Sequence, residues 1–170
     1  MLYHETEALR QLAKSWNNLD TSFIEYKLAN DLIYESQWVL IPIEGKIAFL
    51  SYLHSKFTAI KTTMKSQTMT ITAEMALLPS MQNRPCIVLT QITSEGIKQV
   101  SVLIKIQQQK IKRIEVCFIP NPSEAQLTGE FPKYKLNQYT NDNRVQHIIK
   151  STSMDCETKY HFGKRQQQMP

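Results

Sequence analysis

Two glutamates, Glu35 and Glu115, stand inside stretches that read as strands, and a carboxylate held in a water-poor cleft gains a raised pKa and can act as a base. Each has charged or polar neighbours, with Lys112 and Arg113 just before Glu115, so a surface position is the simpler expectation for both. Cys117 follows Glu115 by two and shares its face of an extended chain. No histidine is fixed beside it in the sequence to take its proton, so it does not read as a nucleophile. His4, His54, His147 and His161 show no metal-ligand spacing, and Cys156 with His161 is an isolated pair. No metal site is expected. The four glycines form no phosphate loop and no dinucleotide fingerprint, so no cofactor is implied.

The elements that would position these groups follow from hydrophobic spacing. Leu9, Leu12, Ala13 and Trp16 recur at helical intervals over Thr6 to Trp16, and Asn17-Asn18 breaks that helix. Asp20 or Thr21 caps a second helix, expected to run through Phe23, Ile24 and Leu28 to about Asn30. Leu32 to Leu40 is rich in β-branched and aromatic residues and predicts one strand, closed by Pro42. Gly45-Lys46 opens a third helix, with Phe49, Leu53, Phe57 and Ile60 on one face.

Four strands are expected after Met64: Met69 to Leu78, Pro85 to Ile92, Ile97 to Gln107 and Lys110 to Ile119. In the last two, Val102 and Ile104 can share a face with Val116 and Ile114 only if paired positions sum to an even number. A two-residue turn at Gln108-Gln109 gives an odd sum and sets Val102 against Glu115, so a loop with an odd number of residues is expected.

A chain of 170 residues, 42% of them hydrophobic, suits one globular domain. Residues 1–120 hold the folded pattern. Residues 121–170 form a basic, polar tail in which Val145, Ile148 and Ile149, behind a cap at Asn141 or Asp142, make at most one short helix. From Lys133 onward seven basic residues face three acids, so the tail carries +4 of the net charge of +5. Charge spread along a loose tail, instead of gathered on a face, suits a solvated tail better than a nucleic-acid arm, so tail-mediated nucleic-acid binding stands as a third reading. No apolar run is long enough to span a bilayer. The start, Met1 to Glu7, has two acids and no basic cluster, and three widely spaced cysteines suggest reduced thiols. A cytoplasmic protein is the expectation.

Three stretches carry a family resemblance: Trp16-Asn17-Asn18-Leu19-Asp20, Leu28-Ala29-Asn30-Asp31-Leu32-Ile33-Tyr34, and Ile43-Glu44-Gly45-Lys46 leading to Phe49 and Leu53. In this order they resemble the helix–turn–helix, the acidic lead into the first strand and the lead into the third helix of the nuclear-transport-factor-2-like superfamily. That superfamily includes ketosteroid isomerase, scytalone dehydratase and polyketide cyclases. The likeness covers about Leu9 to Pro120 and implies an α+β fold of the cystatin-like cone type, with N-terminal helices on a curved antiparallel sheet. It also implies a homodimer formed through that sheet.

The resemblance does not carry the isomerase chemistry with it. Counted from Asp31, the position of the isomerase base falls on Ser36, and a hydroxyl with no neighbouring base does not abstract a proton from carbon. The position of the first-helix tyrosine falls near Leu12, and Val100 to Ile106 holds no Asp or Glu. His54 is the one histidine within the matched stretch for a dehydratase- or cyclase-type role. By the same analogy the first strand turns Tyr34, Ser36 and Trp38 into the cone, with Trp16 closing its floor, a set suited to a small apolar ligand. A non-catalytic cone binding a small apolar molecule or a protein partner is therefore expected. An isomerase, dehydratase or cyclase using Glu35, Glu115 or His54 is the alternative.

Overall fold

The computed structural model describes residues 2–37, 39–66, 69–117 and 120–131. Helix α1 (Leu2–Asn18) buries Ala8, Leu9, Leu12, Ala13 and Trp16 as a single stripe. It stops where Leu19 turns left-handed at φ 51°, with Asp20 N–H donating to the Ser15 carbonyl at 3.0 Å and Leu19 N–H to that of Trp16 at 3.4 Å. These bonds satisfy the last carbonyls of the helix in a Schellman arrangement, here with leucine in glycine's usual place.

The second helix is shorter than the sequence suggests. Helix α2 spans only Ser22–Glu25, with the Asp20 carboxylate accepting from Ser22 N–H at 2.9 Å. The chain from Leu28 already belongs to strand β1 (Leu28–Ser36), because its backbone pairs with a strand more than eighty residues away, Leu28 opposite Ile111. A sheet ladder overrides local helical spacing there. After β1 the chain doubles back as β2 (Val39–Glu44), a strand not anticipated, since Pro42 had marked a stop. β2 forms the edge of the sheet, where a residue without an N–H is tolerated. Gly45, at φ +90°, then turns the chain into α3 (Lys46–Ser66), whose buried residues Phe49, Leu53 and Phe57 follow the expected stripe.

Strands β3 (Thr70–Leu78), β4 (Arg84–Thr93), β5 (Gly96–Gln107) and β6 (Lys110–Cys117) form an antiparallel meander. β7 (Gln126–Leu127) closes a seven-stranded sheet of order β2-β1-β6-β5-β4-β3-β7. Every junction is antiparallel except β1–β6, which is parallel, so the expected antiparallel sheet is a mixed one.

The β5–β6 pairs are as expected, Val102 with Val116 and Ile104 with Ile114, but the loop is not. The turn is the two-residue Gln108-Gln109, both left-handed at φ 49° and 61°. A bulge between Lys105 and Ile106 restores parity, because two residues of β6, Lys112 and Arg113, fall between the inward Ile111 and Ile114.

The helices pack on one face of the sheet over a core that includes Leu12, Trp16, Phe49, Ile87, Val102 and Ile114. The other face carries a smaller cluster of Ala76, Leu78, Cys86, Val88 and Leu103. Residues 120–131 continue past the last long strand as a strap. Ser101 Oγ donates to the Pro120 carbonyl at 3.1 Å, β7 pairs with β3, and Arg10 Nε donates to Glu130 Oε1 at 2.7 Å. The short helix expected near Asn141 lies outside the described residues.

Candidate functional site

Alternation along β1 turns Tyr34 and Ser36 to the helix side, 3% and 8% exposed, and Trp16 closes the same space from α1 at 5%. Trp38 lies outside the described residues. The Tyr34 ring packs at a tilt against Phe49 at 5.1 Å and Tyr52 at 5.3 Å, while Trp16 meets Phe57 edge-on at 5.1 Å. Burial holds the Tyr34 hydroxyl far above the usual tyrosine pKa, reinforced by its hydrogen bond to Tyr52 and opposed by one to Ser36. Lys56 Nζ donates to Tyr52 Oη at 3.2 Å and lies 5.7 Å from the Trp16 ring centroid. Ser36, Tyr34, Tyr52 and Lys56 thus form one chain of polar groups through an aromatic interior.

Sequence reasoning missed Tyr52 and Lys56. The available signal was their i, i+4 spacing on α3, with Tyr52 three residues after Phe49 and Lys56 just before Phe57.

This interior is almost full. The cavity lined by Trp16, Tyr34, Lys56, Leu89, Gln91 and Val100 measures about 40 Å³. That is room for a water or two, against roughly 300 Å³ at the least for a drug-sized ligand.

The three candidate catalytic residues stand elsewhere. Glu35 follows Tyr34 and so faces the opposite side of the sheet, where Arg113 Nε and a terminal guanidinium nitrogen donate to its two oxygens at 2.9 and 2.5 Å. That hydrogen-bonded pair holds its carboxyl below the usual carboxylate range. Glu115, directly opposite Glu35 in the β1–β6 register, pairs with Arg113 at 3.2 Å and Lys105 at 3.3 Å. Both are anchored anions outside the cone, a poor arrangement for a base. His54 is exposed on α3, one residue after the buried Leu53. Burial pushes the Cys86 thiol up to about 12 and also raises Cys117, which favours the protonated thiol over the nucleophilic thiolate. Among the described residues no three His, Cys, Asp or Glu side chains gather in a way that could hold a metal.

The larger concavity lies on that outer face. A cleft of about 620 Å³ runs past the end of β1, with Pro42, Met81, Leu103 and Cys117 supplying apolar wall and Glu35 and Lys105 at its rim.

No protein-family model matches the chain, and no curated protein matches it. Among solved structures, a ketosteroid isomerase-like protein from Kribbella flavida superposes with a TM-score of 0.51 over 68% of this chain and 77% of its own, at 11% identity. The chain has the nuclear-transport-factor-2-like fold. Two further structures with this cone align less closely. An uncharacterised cystatin-fold protein from Novosphingobium aromaticivorans has a TM-score of 0.49 at 13% identity, over 66% of this chain and 96% of its own. A nuclear-transport-factor-2-like protein of unknown function from Cytophaga hutchinsonii has 0.45 at 9%, over 76% and 91%. At such identities the likeness is one of fold. Within the described part of this nuclear-transport-factor-2-like cone, no helix is long and apolar enough to cross a membrane.

Proposed function

We propose that this is a non-catalytic, cytoplasmic cone-fold protein that acts by binding a protein on the outer face of its sheet, the occupant being a second copy of the chain. The observation that carries this reading is the contrast between a cone filled to about 40 Å³ and an outer cleft of about 620 Å³. A two-fold interface sets a patch against itself, so the patch must complement itself. The cleft qualifies: Lys105 and Arg84 stand with Glu35 and Glu115 around an apolar wall that includes Leu103 and the partly exposed Met81.

Sedimentation equilibrium tests the reading. The wild type should dimerise reversibly, and Met81→Glu with Lys105→Glu should yield a monomer with an unchanged circular-dichroism spectrum. A wild type that stays monomeric at the highest concentration reached, or a dimer indifferent to both changes, refutes it.

One observation favours an isomerase-, dehydratase- or cyclase-type enzyme as the second reading. The buried Tyr34 hydroxyl and that of the half-buried Tyr52, linked to Lys56, are donors of the kind that polarise a carbonyl. This reading needs the cone to open. A native mass spectrum with a reproducible small adduct would favour it, and with it a small-ligand pocket at Trp16, Tyr34 and Ser36. A clean apo mass would count against both.

A further inference from the structure

A second concavity, of about 600 Å³, lies at the other end of β1 from the outer cleft, bounded by the β5–β6 turn and the start of α3. Its lining includes Lys46, Lys110 and Lys112 with the amides of Gln107 and Gln108, and Asp31 is its one acid. Three ammonium groups against one carboxylate leave the groove at +2. Lys112 reaches it because of the β6 bulge, since it is one of two residues set between the inward Ile111 and Ile114. Bulges often serve to re-aim a side chain. The structure occupies these lysines only lightly. Lys112 pairs with Asp31, whose side chain is 74% exposed, and Lys110 Nζ donates to the backbone carbonyl of Tyr26. Lys46 makes no ion pair among the described residues, and the first turn of α3 behind it carries no acid.

Tyr26 lies outside the groove's lining but adjoins it through Lys110. The Tyr26 residue whose carbonyl anchors Lys110 is itself 52% exposed, a large aromatic with one face covered by the Lys27 ammonium at 5.3 Å from the ring centroid. Packing does not explain an aromatic left this open beside a cationic groove. Lysines bind phosphate as point charges, and an exposed ring flanked by cations is a stacking platform for a base. We propose that the groove binds a nucleoside phosphate, the phosphate held by Lys46, Lys110 and Lys112 and the base stacked on Tyr26. The lining residues all belong to the folded domain.

Isothermal titration of the full chain at low salt, with ADP, inorganic phosphate and a uridine decamer as probes, tests the proposal. ADP should bind saturably. Lys46→Gln and Lys112→Gln should each weaken it about fivefold, the scale of one ammonium–phosphate contact in water. Asp31→Asn should tighten it by removing the competing acid. Tyr26→Ala should weaken ADP while leaving inorganic phosphate unchanged. Lys98→Gln, at the opposite end of β5, should leave ADP binding as it is. Binding of the decamer with no binding of ADP, still sensitive to Lys112, would identify a single strand as the source of the phosphate. Absence of binding by ADP and decamer alike, or equal losses from Lys98→Gln and Lys112→Gln, overturns the proposal.

Discussion

Replacing Trp16 by alanine separates a filled cone from an open one. The indole is 5% exposed, meets Phe57 edge-on at 5.1 Å, supports the Lys56 ammonium and borders a void of only about 40 Å³. Truncating a buried tryptophan to alanine costs about 3–5 kcal/mol, within which the edge-to-face contact accounts for roughly 0.5–1.5. At about 3–4 °C per kcal/mol for a domain of this size, the thermal midpoint should fall by roughly 10–20 °C. The new space joins the existing void beside Ile71, Leu89 and Val100, and an apolar-walled cavity of that size takes up apolar guests. Urea unfolding gives the loss, and a melt with and without indole reads the cavity: indole should raise the midpoint of Trp16→Ala and leave the wild type unmoved. A loss below about 1 kcal/mol would mean that Trp16 does not seal the core. Stabilisation of the wild type by indole would mean that the cone is already open, and would return the small-ligand reading to first place.

From neutrality upward, stability should be level to about pH 8 and fall above about pH 9. Cys86 and then Tyr34 release their protons in the unfolded chain near their ordinary values while the fold still holds them, so their contribution is lost as pH rises; urea titrations of Cys86→Ala and Tyr34→Phe should show a shallower decline. Asn17 donates to the Ala73 carbonyl at 2.9 Å and accepts from its N–H at 2.8 Å, so Asn17→Leu should cost about 2 kcal/mol by chemical denaturation, having stranded both groups of β3. Gln109→Gly should stabilise the β5–β6 turn by about 1 kcal/mol in the same assay, because glycine adopts φ 61° without the penalty a side chain brings.

Most of the cone could be read from spacing, because a buried face leaves its period in the residues. The α3 stripe of Phe49, Leu53 and Phe57 and the alternation that turns Tyr34 inward are both of this kind. The Val102–Val116 register was legible for the same reason, although the bulge that achieves it was not: a bulge adds one residue without altering the inward row. β2 was missed because its signal is ambiguous. Pro42 marks a stop in a central strand and is permitted at an edge, and only the sheet order tells which applies. The start of β1 has local helical spacing, and the partner that makes it a strand, β6, is remote in sequence. In the candidate site, the direction of Tyr34 and Ser36 could be inferred but the fullness of the cone could not. Volume depends on how Trp16, Phe57 and Tyr52 from two helices meet, which no single period encodes.

The parallel β1–β6 junction also orders events in time. Tyr34 sits opposite Ile114, 80 positions later, whereas each antiparallel pair in the meander joins neighbours in sequence. On a ribosome, the first helices and β1 emerge long before β6 exists, so Leu32 and Tyr34 must wait with one backbone edge unpaired until the meander is complete. The meander should therefore gain protection from hydrogen exchange before β1 does. A chain cut before Lys110 should keep α1 and the β3–β5 hairpins loosely associated while its β1–β2 pair remains free to join the sheet of another molecule.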